Sequence, residues 1–183
     1  KIQYGTSMCY PVSSMGSHVS VVPNHQLNRK TPLHTRANVA YFGTFGYELD
    51  LNKLSDEEIS EVKQQITFMK EYRELIQFGT FYRLKSPFEG NETVWMTVSE
   101  DKKTALVFWY RERNVVNADF TRVRLQGLDP DLIYRNEYNE TENYGDELMN
   151  LGLLTTDCTA GEPTSEDEPC TDYESRIYVL TAK

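Results

Sequence analysis

Through the first 78 residues, apolar side chains recur at intervals of three and four, and from Gly79 onward they alternate with polar ones. The first pattern is clearest after Ser55. Ile59, Val62, Ile66 and Met69 form a helical stripe, and Phe68, Tyr72 and Leu75 widen it. Ser55 with Glu58 three residues later is a capping-box pair. The acids of the first turn and the later Lys70 and Arg73 suit the helix dipole. The spacing predicts a helix over about 56–75 whose apolar face packs into a core.

Upstream the signals are shorter. Val19–Val22 is an apolar run between a Ser/Gly cluster and Pro23-Asn24-His25-Gln26, the pattern of a short buried strand that Pro23 ends. His18 would lie in that strand as a hydrogen-bonded core group. Thr31-Pro32 predicts a helix start, with the threonine hydroxyl as cap and proline in the first turn. Leu33, Arg36, Ala37, Ala40 and Tyr41 follow at helical spacing until Gly43. Residues 43–51 read as extended, with Phe45, Tyr47 and Leu49 on one side, and residues 2–10 as a short helical tail that must pack to stay ordered. Strand, polar loop and helix make one unit of a βα architecture, where chemistry sits on the loops after the strands.

A boundary falls in 76–84, dividing the chain into segments 1–78 and 79–183. Residues 93–99 place Val94, Met96 and Val98 on one face, and 104–112 are apolar on both faces and so central in a sheet. Ser99–Lys103 is a hairpin turn between them, and Asp129-Pro130-Asp131 joins extended segments 122–128 and 132–138. Residues 144–150 read as a loop with one helical turn, and 151–155 and 175–182 as closing strands. The fold class is α+β, with a βα piece and a long helix followed by an antiparallel sheet or sandwich.

The 183 residues carry a net charge of −9. Residues 1–55 hold two acids and five bases, leaving 26 acids and 14 bases in the remainder. That balance opposes nucleic-acid binding, which requires Lys and Arg against phosphate. No apolar run reaches the about 20 residues of a membrane span, and no signal-peptide pattern is present. Residues 156–174 hold seven acids and no base, and read as a solvated insertion because Pro163 and Pro169 break any calcium-loop register. Cys158 and Cys170 flank that insertion and could close it, with Cys9 left over.

Candidate chemistry is sparse. His18, His25 and His34 are spaced by seven and nine with no acid or cysteine to complete a metal set, so no metal is expected. The serines around Met15-Gly16 lack a nucleophile elbow. Glu48 and Asp50 share one strand face and cannot oppose each other across a scissile bond. Trp95, Phe108, Trp109, Tyr110 and Tyr134 fit a β core better than a sugar-stacking platform. The sequons at Asn91 and Asn139 receive no role. Asn24 and His25 stand at the strand's end, where they reach either a ligand or only a structural turn.

Residues 1–26, then Gly43–Ser55, Tyr144–Asn150 and Ser175–Leu180 resemble, in register, the late part of family 36 α-galactosidases (melibiases). The resemblance implies that residues 1–78 end a TIM-type (β/α)8 barrel and that 79–183 form the C-terminal antiparallel β-sandwich domain. It implies a retaining hydrolase of terminal α-galactosyl groups on melibiose- or raffinose-type sugars, with no cofactor, cytoplasmic and homo-oligomeric. Its cytoplasm would keep Cys158 and Cys170 reduced. It also places both catalytic aspartates upstream of Lys1, so this chain alone would be inactive. Asn24 and His25 would then belong to the substrate rim, with a non-catalytic carbohydrate-binding module as the alternative reading. The barrel piece would then leave strand edges and apolar helix faces open, or pair with another copy.

Overall fold

The structure is a computed structural model that describes residues 1–115, 120–155 and 172–183. It forms two compact units, Lys1–Phe78 and Gly79–Lys183.

In the first unit, α1 (Ile2–Thr6) leads through a 3₁₀ turn at Val12–Ser14 to β1 (Val19–Ser20), α2 (Leu33–Ala40), β2 (Tyr47–Glu48), a second 3₁₀ turn at Leu51–Lys53, and α3 (Asp56–Phe78). β1 and β2 are parallel, with Val19 opposite Tyr47 and Ser20 opposite Glu48. β1 is half as long as its apolar run suggests. Val19 is fully buried, but Val21 turns to solvent and the chain leaves the ladder before the cis Val22-Pro23 bond.

α2 begins differently from the expectation. Pro32 is the N-cap, no side chain caps the helix, and the Thr31 carbonyl accepts instead from Arg36 Nε at 3.0 Å. Gly43 follows α2 where a Cβ would stand 2.4 Å from Ser17 Oγ and 2.6 Å from the Met15 carbonyl, so only glycine fits the close approach. The extended reading of 43–51 fails at Phe45, whose φ of +49° breaks the alternation and leaves a two-residue strand. Phe45 packs instead on Tyr41, with ring centroids 4.9 Å apart, and Tyr41 packs on Phe68 at 4.8 Å.

The capping box forms as expected. Ser55 N donates to Glu58 Oε2 at 3.0 Å and Glu58 N donates to Ser55 Oγ at 3.2 Å. α3 runs three residues beyond the expected end, because Ile76 continues the stripe a heptad after Met69 and is itself buried.

The second unit contains β3 (Thr80–Lys85), β4 (Glu92–Val98), β5 (Thr104–Arg111), β6 (Arg122–Val123), β7 (Ile133–Asn136), β8 (Glu142–Tyr144), α4 (Gly145–Asn150), β9 (Leu153–Leu154) and β10 (Glu174–Ala182). The main sheet is antiparallel, in the order β3-β4-β5-β10-β7-β8. Its inner face carries Val94, Met96, Val98, Ala105, Val107 and Trp109, and Val123, Leu125, Leu128, Leu148 and Leu153 cover that face as one core. The sandwich's second layer is therefore the β6–β9 pair with α4 rather than a second large sheet. β5 is central, as its two apolar faces require: Leu106 and Phe108 are buried on the opposite side of the sheet.

The Ser99–Lys103 hairpin closes through Ser99 N to the Thr104 carbonyl at 2.9 Å, with Asp101 accepting from Ser99 Oγ and Lys103 N. The segments on either side of Asp129-Pro130-Asp131 do not pair with each other. β6 joins β9, whereas β7 joins β8 and β10. The Asp129 turn instead hands the chain from one layer to the other, and Asp129 Oδ1 accepts from Asp131 N at 3.1 Å. Cys158, Cys170 and most of the acidic run lie outside the described residues. Cys9 is exposed and unbridged.

Candidate functional site

Two candidate residues of the first unit, Asn24 and His25, lie on the loop from Val21 to Thr31, after the C-terminal end of β1. Asn24 organises its tip. Asn24 Oδ1 accepts from the backbone N–H groups of Gln26 and Leu27, both at 3.0 Å. Asn24 N donates to the Arg29 carbonyl at 2.8 Å, and Asn28 N donates to the Asn24 carbonyl at 2.8 Å. This is an Asx turn built on one residue. It leaves Asn24 half-buried and His25, the next residue, exposed. Both readings of Asn24 are thus compatible with its place: its carboxamide oxygen shapes the turn, and the turn presents His25 to solvent.

Arg36 ties the base of the loop. Its Nη1 donates to the Ser20 carbonyl at 2.6 Å and its Nε to the Thr31 carbonyl at 3.0 Å. Burial pulls its pKa below the ordinary arginine value, and the carboxylates of Glu58 and Glu61 work against that pull. In the sequence Arg36 stands at helical spacing with Leu33, Ala37 and Ala40, but that spacing does not name its partners. Only the fold brings it to both ends of the loop.

Other candidates separate from this loop. His18 is not a core group: its side chain is 43% exposed and its Nε2 lies 3.1 Å from Glu48 Oε2 on the neighbouring strand. β1 is too short to draw His18 into the ladder. Asp50 caps the 3₁₀ turn by accepting from Asn52 N at 3.1 Å, and those hydrogen bonds hold its carboxyl below the usual range. Glu48 and Asp50 are therefore occupied by separate local partners. Tyr47 Oη donates to Gln65 Oε1 at 2.8 Å and Gln65 Nε2 to Glu61 Oε1 at 2.7 Å, a line of polar groups running into the α3 face. Among the described residues, no group of three or more His, Cys, Asp or Glu is placed to hold a metal ion.

Trp95, Trp109 and Tyr134 of the second unit are buried. Trp95 is 3% exposed and Trp109 1%, so neither offers a ring face to a sugar. Trp109 Nε1 donates to Glu92 Oε1 at 3.2 Å, and Glu92 Oε2 pairs with Lys85. Arg111 and Arg176 both lie against the Trp109 ring and both pair with Glu174. Tyr134 is buried and its hydroxyl donates to the Lys102 carbonyl at 2.6 Å while accepting from Asp129 N at 2.9 Å. Asn91 is held on both sides by Arg113, with N–H to Oδ1 at 2.9 Å and Nδ2 to carbonyl at 2.6 Å. Among the described residues, no helix is long and apolar enough to cross a membrane.

Residues 1–79 match the melibiase family, and residues 92–180 match the glycosyl hydrolase family 36 C-terminal domain. α-Galactosidase AgaA of Geobacillus stearothermophilus is 54% identical over 153 residues, which is 84% of this chain and 21% of the relative. α-Galactosidase 1 of Pediococcus pentosaceus is 46% identical over 181 residues, 99% of this chain and 23% of the relative. The crystal structure of AgaA superposes with a TM-score of 0.89 at 47% identity, covering 100% of this chain and 24% of AgaA. Variants of AgaA in complex with stachyose and with raffinose superpose with the same TM-score of 0.89. The chain spans about a fifth to a quarter of the length of these relatives.

Proposed function

The chain belongs to glycosyl hydrolase family 36, and from that premise we propose that it serves as the C-terminal part of a retaining α-galactosidase. The whole enzyme removes terminal α-galactosyl groups from melibiose- and raffinose-type oligosaccharides, without a cofactor, in the cytoplasm and as a homo-oligomer. Residues 1–78 end its catalytic (β/α)8 barrel, and 79–183 are its C-terminal β domain. The observation that carries this reading is the paired family match, one domain on each compact unit. The parallel β1–β2 pair, each strand followed by a helix, is the repeating unit from which such barrels are built. The raffinose and stachyose complexes of AgaA support the substrate class.

Asn24 and His25 sit on the rim of the substrate site, because they occupy the loop after a barrel strand. They take no part in bond cleavage. A retaining glycosidase needs two carboxyl groups about 5–5.5 Å apart across the glycosidic bond. Glu48 and Asp50, the acids next to β1 and the 3₁₀ turn, are engaged with His18 and Asn52 instead. The 183-residue chain on its own is expected to be inactive, because no residue in it matches the nucleophile or the acid/base of the family it resembles. Purified chain assayed on p-nitrophenyl α-galactoside is expected to give no turnover, while the full-length enzyme is active. Turnover by the chain that vanishes when one of its own carboxylates is changed would refute the assignment.

A further inference from the structure

Loop 21–31 is closed at two levels. The Asn24 turn closes its tip, and Arg36 closes its base. The base closure is unusual in its economy: one side chain from the first turn of α2 reaches the last residue of β1 and the last residue of the loop. Ser20 and Thr31 are both held through backbone carbonyls, so the clamp acts on the main chain and not on side-chain identity. We propose that Arg36 is the positioning residue of this loop, fixing the separation of Ser20 and Thr31 and thereby where Asn24 and His25 meet a galactosyl substrate. This rests on the reading of the loop as the substrate rim.

The chemistry requires arginine. A guanidinium is planar and presents Nε and Nη donors in a rigid fork, so two carbonyls held by it are held at a set distance. A lysine ammonium is a point charge on a flexible stem and cannot impose that separation. Glu58 and Glu61 on α3 supply negative charge near the fork, which keeps the guanidinium seated without occupying the two donors that grip the loop.

The test is Arg36→Lys in the full-length enzyme, compared with the parent by amide hydrogen exchange across residues 21–31 and by kcat and KM for raffinose. Loop exchange is expected to rise roughly tenfold and KM by a similar factor, with kcat held within about twofold, since misplacement of a positioning group is felt in binding. Unchanged loop exchange overturns the proposal, and so does raised exchange with KM unmoved. Asn24→Ala and His25→Ala separate the two readings. A KM shift in either, with none in Arg36→Lys, removes Arg36 and leaves the rim standing. No KM shift in any of the three removes the rim itself. Should Arg36→Lys fail to fold, Arg36→Gly is assayed with free guanidinium added. Restored KM supports the clamp, and a KM that stays raised despite added guanidinium overturns it.

Discussion

The two units solve the problem of backbone hydrogen bonding in opposite ways. In Gly79–Lys183 the strands are antiparallel, and β5 and β10 pair over eight consecutive residues. A single core of Val94, Met96, Trp109, Leu125, Leu148, Tyr178 and their neighbours lies on one face. In Lys1–Phe78 the only ladder among the described residues is a two-residue parallel pair. Exposed large apolar side chains occur in both units, among them Ile2, Met8 and Phe78 in the first and Phe88, Phe120 and Leu151 in the second, so pairing and not exposure separates them. Antiparallel neighbours can complete a sheet from a short stretch of sequence, whereas parallel strands each require a crossover and further strands to cover their edges. The first unit thus has little strand pairing of its own, whereas the second carries a six-stranded ladder.

The largest expected effect comes from separating them. Residues 79–183 expressed alone should unfold in one cooperative transition, and residues 1–78 alone should show none, as followed by circular dichroism in urea. A cooperative transition from 1–78 would erase the contrast. Within the second unit, Trp109→Ala should cost about 3–5 kcal/mol, because a fully buried indole leaves a cavity on the inner face of the sheet. Denaturant midpoints measure it, and a loss below about 1 kcal/mol would mean the core is not organised around this ring.

Glu92→Ala should cost about 2–3 kcal/mol in the same assay, since it removes the partner of Lys85 and the acceptor of Trp109 Nε1 together. In the first unit, Ser55→Ala should cost only about 1 kcal/mol of α3 stability, the ordinary value of a lost N-cap. The helical signal of the intact protein reads it.

The smallest effect is a pH dependence. Burial first, and then the Glu61 carboxylate, push the Tyr47 phenol up to about 12 from its ordinary 10.0. The folded state therefore holds this proton more tightly than the unfolded state. The stability it contributes is complete below about pH 10 and is lost as pH rises through about 12. Tyr47→Phe should flatten part of that fall. Tyr41, pushed upward by burial first and then by Tyr47 and Glu61, keeps the part of its shift that does not come from Tyr47. An unaltered alkaline profile in Tyr47→Phe would place Tyr47 in water rather than beside Gln65.

Short-range features were legible from residue order. The Ser55–Glu58 box, the α3 stripe, the Asp101 hairpin and the central position of β5 all rest on interactions within a few residues, or on whether one face or two is apolar. That Asn24 and His25 fall on a loop after a strand was legible too, although β1 ends at Ser20 and not at Pro23. The resemblance carried by residues 1–26, 43–55, 144–150 and 175–180 supplied the family, which periodicity could not.

What residue order could not decide are the pairings that skip along the chain. β10 inserts between β5 and β7, and β6 leaves its turn partner for β9. His18 meets Glu48 at the surface rather than entering the core. Arg36 reaches back 16 residues to the Ser20 carbonyl. Phe45 takes a positive φ to stack on Tyr41. Local order fixes periodicity and turn chemistry, since those depend on neighbours a few bonds away. Which distant carbonyl, ring or strand a group meets depends on the closure of the whole chain, and only the tertiary structure sets that.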